Sequence, residues 1–395
     1  MKKRTECSDD TEQAKEQLRR KAIELYRQNW KIKDICTVLD CSRSWLYKWI
    51  KRYKEKDNSW YESESRAPHT VHRSTDEQIE QMIVNTRKHL MAMPYSQIGP
   101  QAIYYHLHQQ GYTPPPIWTI SRLVKRHDLT VPKRRIPYLS KGKQYPYQYA
   151  LSHQMDFVGP RYLSCKSRYY FLNLIDCDTH CAQTGVVENK TSEVVCRHLI
   201  HFWKTVGIPD FLQMDNELAF WGSLRVPNVV GKVIRLSLLL NVTPVFIPKS
   251  EPWRNGIIEH YNHTMQCNLL AIKHDNVETL KQAALQYDEI HNKTHRYSTQ
   301  SGMTPQQAFD AFQYPIQQLS KDFSMPMNKI PLEDGEIHVI RFIRSNQQFD
   351  VFGLTYPVPD IGKYEYIRGI ILTGEHNLLL FKDQKLIAEY EFKLL

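Results

Sequence analysis

Residues 151–188 read LSHQMDFVGPRYLSCKSRYYFLNLIDCDTHCAQTGVVE. Three segments within it, LSHQMDFVG (151–159), SRYYFLNLID (167–176) and AQTGVVE (182–188), are rich in β-branched and aromatic residues and are parted by short polar breaks, as consecutive strands are. Past Glu188 the pattern alternates. Thr191 to Val206 has an amphipathic helical period opened by a Thr cap, and FLQMDN (211–216) returns to strand. A helical stretch near Val230 to Leu240, a strand TPVFIP (243–248), and helices near Gly256 to Ala271 and Val277 to His291 complete the block. Three strands followed by alternating helix and strand predict an α/β layer with a mixed five-stranded sheet, its fourth and fifth strands parallel.

Toward the N-terminus the periodicity is purely helical. Leu18, Ala22, Ile23, Leu25 and Tyr26 form one stripe, Ile32, Ile35, Cys36 and Leu39 a second, and Leu46, Trp49, Ile50 and Tyr53 a third, with LDCS as the turn before the last and Ser42 as its N-cap. This is a helix-turn-helix pattern. Packing the apolar face of the third helix inward leaves Arg43, Ser44, Tyr47, Lys48 and Lys51 outward, where such a helix reaches base edges. Residues 1–56 carry 16 Lys plus Arg against 9 Asp plus Glu, so a polyanion is the expected partner. A second helical unit comes next, with patterns at Asp76 to Leu90, Pro100 to Gln110 and Thr119 to His127; Thr119, Ser121, Arg122, Lys125 and Arg126 are its expected exposed set. The stretch Arg122 to Lys143 has eight Lys plus Arg and one acid. It reads as a phosphate-tracking linker that includes Lys133, Arg134 and Arg135.

Beyond the α/β block, EIHVIRFI, YEYIRGIIL, NLLLFKD and KLIAEYEF read as short strands of a small all-β barrel. With 7 basic and 10 acidic residues over 331–395, that segment is no electrostatic DNA clamp. The expected organisation is multidomain: a helix-turn-helix domain at 1–66, a second such unit with the basic linker at 67–144, an α/β core at 145–330 and the β-barrel at 331–395.

Over all 395 residues, 52 Lys plus Arg against 42 Asp plus Glu leave a formal charge of +10, and 41% hydrophobic content excludes a disordered chain. No apolar run reaches membrane length, and the start lacks the apolar region of a secretory signal. The 8 Cys show no disulfide framework, so the expected location is the cytoplasm, in association with DNA. Cys177, His180 and Cys181 are compact, but no second ligand pair accompanies them and they are read as structural.

Three carboxylates stand out. Asp156 lies within the apolar strand QMDFVG, where a lone charge is costly unless it meets a cation. Asp215 ends the strand FLQMDN, and the polar run Asp215, Asn216, Glu217 marks the strand C-terminus, the edge where α/β sheets place ligands. Glu259 falls on the helix in PWRNGIIEHYNH, where Ile258, Tyr261 and Met265 form the buried stripe and Asn255, Glu259 and Asn262 share the adjoining face. Glu251 competes with Glu259 for the third place. It precedes Pro252, which favours an extended loop conformation, so Glu259 is preferred. Converging carboxylates suit hard divalent cations, and two Mg²⁺ or Mn²⁺ ions at Asp156, Asp215 and Glu259 would serve in-line displacement at phosphorus. No phosphate-binding G-x-x-x-x-G-K-[ST] loop, H-E-x-x-H or G-x-S-x-G supplies another engine.

The blocks QMDFVGP, GIPDFLQMDNELAF and EPWRNGIIEHYN resemble the DDE transposases of bacterial insertion sequences and the retroviral integrase superfamily, and the element order is similar to the RNase H-like fold. The resemblance spans nearly the whole chain. It implies an RNase H-like integrase catalytic core in which Asp156, Asp215 and Glu259 are catalytic and metal-binding, cleavage at transposon ends, and strand transfer of 3′-hydroxyls into target DNA. It further implies double-stranded DNA partners, namely terminal repeats and target, and a homodimer or higher homo-oligomer. Lys249, Arg254 and Asn255 become candidate DNA contacts, with Asn216 and Trp253 behind them. His153 and Glu217 depart from the family pattern, which often has Trp and Gly at these places. Two other readings stay open: a catalytically idle, transposase-derived DNA-binding regulator, and a nuclease that hydrolyses without joining.

Overall fold

The computed structural model describes residues 6–55, 59–63, 75–130, 145–222, 226–312, 317–326 and 329–394, with backbone alone at 6–11. The chain forms two compact units, residues 1–74 and 75–395. In the first, α1 (Glu6–Arg27), α2 (Ile32–Val38) and α3 (Arg43–Glu55) enclose Ala22, Ile23, Leu25, Ile35, Leu46, Trp49 and Ile50. The Ser42 hydroxyl accepts from the Trp45 amide at 3.2 Å, which caps α3 at the expected residue. Arg19 lies beneath, its guanidinium 4.4 Å from the Trp49 ring centroid and donating to the Tyr61 carbonyl at 2.7 Å.

The second unit begins with α4 (Glu77–Ala92), α5 (Pro100–Gln109) and α6 (Ile117–Arg126), packed around Ile83, Leu90, Ile103, Leu107, Ile120 and Leu123. The Asp76 carboxylate accepts from the Gln78 amide at 2.7 Å and opens α4. Ser121, Arg122, Lys125 and Arg126 are exposed. Thr119, expected outside, is only 6% exposed, because it lies one helical turn before Leu123 and shares the buried face with Ile120, Leu123 and Val124, while Trp118 points out. Lys133, Arg134 and Arg135 lie outside the described residues.

The sheet that comes next comprises β1 (Ser152–Tyr162), β2 (Arg168–Asp176), β3 (Ala182–Val187), β4 (Phe211–Met214) and β5 (Thr243–Phe246). Its order is β3-β2-β1-β4-β5. β1 pairs antiparallel with β2, β2 antiparallel with β3, and β4 parallel with both β1 and β5. This is the mixed five-stranded arrangement expected of an RNase H-like core. Residues of β2 alternate between two cores: Leu172 and Leu174 face α7 (Ser192–Val206), α8 (Leu218–Trp221) and α9 (Lys232–Leu239), whereas Phe171 and Ile175 face α10 (Gly256–Leu269) and α11 (Val277–Thr294). A short α12 (Pro305–Asp310) comes after α11.

The separate C-terminal barrel expected from sequence is not what the chain builds. β6 (Glu336–Phe342), β9 (Tyr366–Leu372), β10 (Asn377–Lys382) and β11 (Lys385–Glu391) extend the same sheet to nine strands, in the order β11-β10-β9-β6-β5 onward. The junction is a parallel pairing, Val245 with His338 and Phe246 with Val339. Its physical reason is edge protection: β5 alone would present unpaired backbone and apolar residues to water. β7 (Gln348–Val351) and β8 (Leu354–Pro357) form a hairpin whose Phe349 and Val351 enter the core shared with Met155, Leu212 and Trp203. Among the described residues no helix is long and apolar enough to cross a membrane.

Candidate active site

The parallel register pairs Met155 with Met214, so the next residues on each strand, Asp156 and Asp215, are neighbours across about 4.8 Å of sheet. Asp156 lies opposite Asn173 on β2, and its Oδ2 accepts from the Asn262 side-chain amide at 2.7 Å. Asn262 in turn accepts from Asn173 at 2.6 Å. One chain of amides therefore ties β1, β2 and α10 together at the carboxylate. Asp215 Oδ1 accepts from the Glu217 amide at 3.0 Å, a local Asx turn that fixes its rotamer. Glu259 lies in the first turn of α10, where the positive end of the helix dipole favours a carboxylate.

Two side-chain amides from the sheet determine where α10 starts. Gln154 Oε1 accepts from the Ile258 amide at 2.9 Å, and Gln213 donates to the Arg254 carbonyl at 3.0 Å and to Asn255 Oδ1 at 2.8 Å. Gln154 satisfies an N–H that a helix start leaves unpaired, and Gln213 pins the residues just before it through their oxygens. The two glutamines flank Asp156 and Asp215 in sequence.

The electrostatics arise from this crowding. Burial, then repulsion from Asp215 and Glu259, pushes the Asp156 carboxyl up to about 7. Asp215 is raised mainly by burial, against the Glu217 amide and the Lys190 ammonium. Glu259 is raised by burial and then by Asp215. Asp156 thus feels both other acids and Glu259 feels Asp215, but among the described residues no group of three His, Cys, Asp or Glu side chains is drawn tightly enough to enclose a metal ion. The donors themselves are all carboxylate oxygens and partly desolvated, which is the donor chemistry that a hard divalent cation takes.

Glu251 occupies a different environment. Arg254 Nε donates to it at 2.8 Å, the Tyr366 hydroxyl donates at 2.8 Å, and the Arg254 guanidinium lies 4.4 Å from the Tyr145 ring centroid. Arg254 is therefore engaged inside the protein, and Asn255 is 2% exposed. Lys249 is exposed, 3.5 Å from Asp350, and Trp253 is also exposed. Arg43, Ser44, Tyr47, Lys48 and Lys51 lie on α3, and Tyr47 is exposed at 56%. Among the candidates, Asn216 accepts from Arg341 and donates to the Ile247 carbonyl at 2.8 Å.

Sequence reading gives no role to Lys190. Its ammonium lies 2.7 Å from Glu217 and 5.0 Å from the Phe157 ring centroid, a cation at the rim of the carboxylates. A single Lys in a polar loop between a strand and a helix carries no signal of this. Burial pushes the Cys177 and Cys181 thiols to about 12, in keeping with a structural role.

Residues 13–58 match the family model of a Homeodomain-like domain. Among solved structures the chain is similar to the HTLV-2 integrase catalytic core domain in complex with magnesium, at 16% identity and a TM-score of 0.32 over 40% of this chain and 95% of that one. It is similar to the catalytic core domain of BIV integrase, at 17% identity and a TM-score of 0.33 over 41% and 94%. It is also similar to a simian T-cell lymphotropic virus intasome in complex with a PP2A regulatory subunit, at 13% identity and a TM-score of 0.37 over 74% and 99%.

Proposed function

We propose that this chain is a DNA transposase that cuts element ends and joins the freed 3′-hydroxyls to target DNA, with Asp156, Asp215 and Glu259 as catalytic residues. The observation that carries the reading is geometric: Asp156 and Asp215 come directly after the paired Met155 and Met214 on neighbouring strands, and with Glu259 on α10 they are near enough that both raise the Asp156 carboxyl. Such an arrangement is unfavourable in an idle fold and is relieved by a cation. Asp156, Asp215 and Glu259 would hold Mg²⁺ or Mn²⁺, which when bound polarises the scissile phosphate and lowers the pKa of an attacking oxygen.

The chain's own residues supply the rest. Asn262 holds Asp156, the Asx turn holds Asp215, and Gln154 with Gln213 place the first turn of α10 and hence Glu259. In the first reaction a water oxygen bonds to phosphorus as the 3′-oxygen leaves with its electron pair. In the second, that 3′-hydroxyl attacks a target phosphodiester and displaces its 3′-oxygen. The polar row on α3, together with Arg122, Lys125, Arg126 and Lys249, would hold the duplex through phosphates and base edges. Two ends processed together call for a homodimer or larger assembly on DNA.

The test is incubation of the purified chain with labelled duplexes carrying the element ends and Mn²⁺. Nicked and strand-joined products are expected from the wild type, with turnover at least about 10³-fold lower in Asp156→Asn, Asp215→Asn and Glu259→Gln. Glu251→Gln should retain turnover. Nicks without joined products would favour a hydrolytic nuclease, and specific duplex binding without either product a regulator.

A further inference from the structure

On β6, Ile337, Val339 and Arg341 alternate with the pleat, and Ile337, Val339 and, just past the strand, Ile343 are buried in the main core. The pattern reserves position 341 for an apolar side chain. Arginine stands there instead, 5% exposed. Its guanidinium donates to the Asp350 carbonyl at 3.0 Å, to the Ile340 carbonyl at 2.8 Å and to the Ile247 carbonyl at 3.3 Å. It lies 5.5 Å from the Trp221 ring centroid. Among the described residues its side-chain hydrogen-bond acceptor is Asn216, whose Oδ1 takes Nη2 at 2.9 Å.

Among the described residues no carboxylate lies at hydrogen-bond distance, although the Asp350 charge nearby favours the cation; burying it is still an expensive way to hold a sheet together, since an isoleucine or leucine would fill the same place at no desolvation cost. What the arginine adds is direction. Asn216 follows Asp215, and its amide donates to the Ile247 carbonyl, the same oxygen that Arg341 contacts. Ile247 is in turn anchored to β4, donating its amide to the Met214 carbonyl at 3.1 Å. Arg341, Asn216 and Ile247 therefore close a triangle around the loop that carries Asp215.

We infer that Arg341, acting through Asn216, is a positioning residue for Asp215, so that the C-terminal strands are part of the active site. The inference rests on the phosphoryl-transfer reading above. An outer-shell partner that fixes a metal-binding carboxylate commonly governs affinity by about 10–100-fold, and Arg341 has the geometry of such a partner. Lysine cannot replace it, because one ammonium cannot span three carbonyls and an amide as the planar fork does.

The experiment uses the full chain as wild type, Arg341→Met, Arg341→Lys, Asn216→Ala and the double variant Arg341→Met with Asn216→Ala. Folding is checked by thermal melting, Mn²⁺ affinity is read from free-Mn²⁺ electron paramagnetic resonance, and kcat and KM are measured on labelled duplex. In folded protein each single variant should weaken Mn²⁺ binding about 10–100-fold and lower kcat with KM for DNA unchanged, and the double variant should be no worse than the worse single one. Unchanged Mn²⁺ affinity and kcat, or losses that multiply in the double variant, would overturn the inference. Should Arg341→Met fail to fold, Arg341→Lys and Asn216→Ala decide alone, with the same outcomes. Mn²⁺ binding that responds to Asp156→Asn but not to these variants sinks this inference only; binding indifferent to Asp156→Asn sinks the carboxylate reading and the inference with it.

Discussion

Two carboxyls in the second unit are held near neutrality for different reasons. Asp156 is raised to about 7 by burial and by two neighbouring acids. Asp288 is also raised to about 7, by burial alone, although the Tyr261 hydroxyl donates to it at 2.9 Å and the Thr184 amide at 2.8 Å. In both, the folded pKa exceeds the unfolded value of about 3.9, so the native state binds the proton more tightly. The stability this gives is fully present below about pH 4 and is lost as pH rises through about 7. Urea titrations of the cation-free chain between about pH 5 and 8 should show falling stability, and Asp156→Asn or Asp288→Asn should each remove part of the slope, on the order of a few kcal/mol. Mg²⁺ should restore stability at the alkaline end of that range in the wild type and in Asp288→Asn, and not in Asp156→Asn. Equal restoration in all three would contradict the assignment of the cation to Asp156.

At the level of elements, α10 and α3 are placed by different devices, and each can be tested separately. Gln154→Ala leaves the Ile258 amide unpaired in the interior, at a cost of about 1–3 kcal/mol. It should also lower kcat more than it raises KM, because Glu259 follows Ile258 on α10; a melting shift with unchanged kcat would show that the α10 start does not govern turnover. On α3, Lys48→Ala and Lys51→Ala should each make the slope of log affinity against log salt shallower by about 0.9 for every phosphate the lysine neutralises. Most of these elements are legible in the sequence. Strands β1 to β5 and helices α1 to α7 announce themselves by period and cap, and the buried stripe Ile258, Tyr261, Met265 is where helical spacing puts it. Tertiary pairing is not legible: the apolar alternation of β6 reads equally well as a barrel strand or as an extension of a larger sheet, since periodicity reports one buried face and not the neighbour. Lys190 and Arg341 escape a reading of the sequence for a related reason. Their partners lie far along the chain, and a lone cation in a strand or loop gives no hint of which oxygen it will meet.

For the molecule as a whole, the nine-stranded sheet changes what a deletion should do. If residues 331–395 formed an independent module, a chain ending near residue 330 would keep the α/β core and lose only a surface function. In the structure, β6 covers the β5 edge, and Val339, Phe349, Ile367 and Leu378 share one core with Trp203, Met214 and Phe246. Removing them exposes several large side chains at about 1.5–3 kcal/mol each, a sum comparable to the roughly 5–15 kcal/mol that holds a typical domain folded. It also bares a strand edge prone to intermolecular pairing. A fragment spanning residues 75–330 should therefore aggregate or lack near-ultraviolet circular dichroism, whereas residues 75–395 should unfold in a single cooperative urea transition. Recovery of a soluble, cooperatively folding 75–330 fragment would show that the two halves of the sheet are energetically separable. Arg341 could not then be an obligatory part of the Asp215 environment, because the core would form without the strand that carries it.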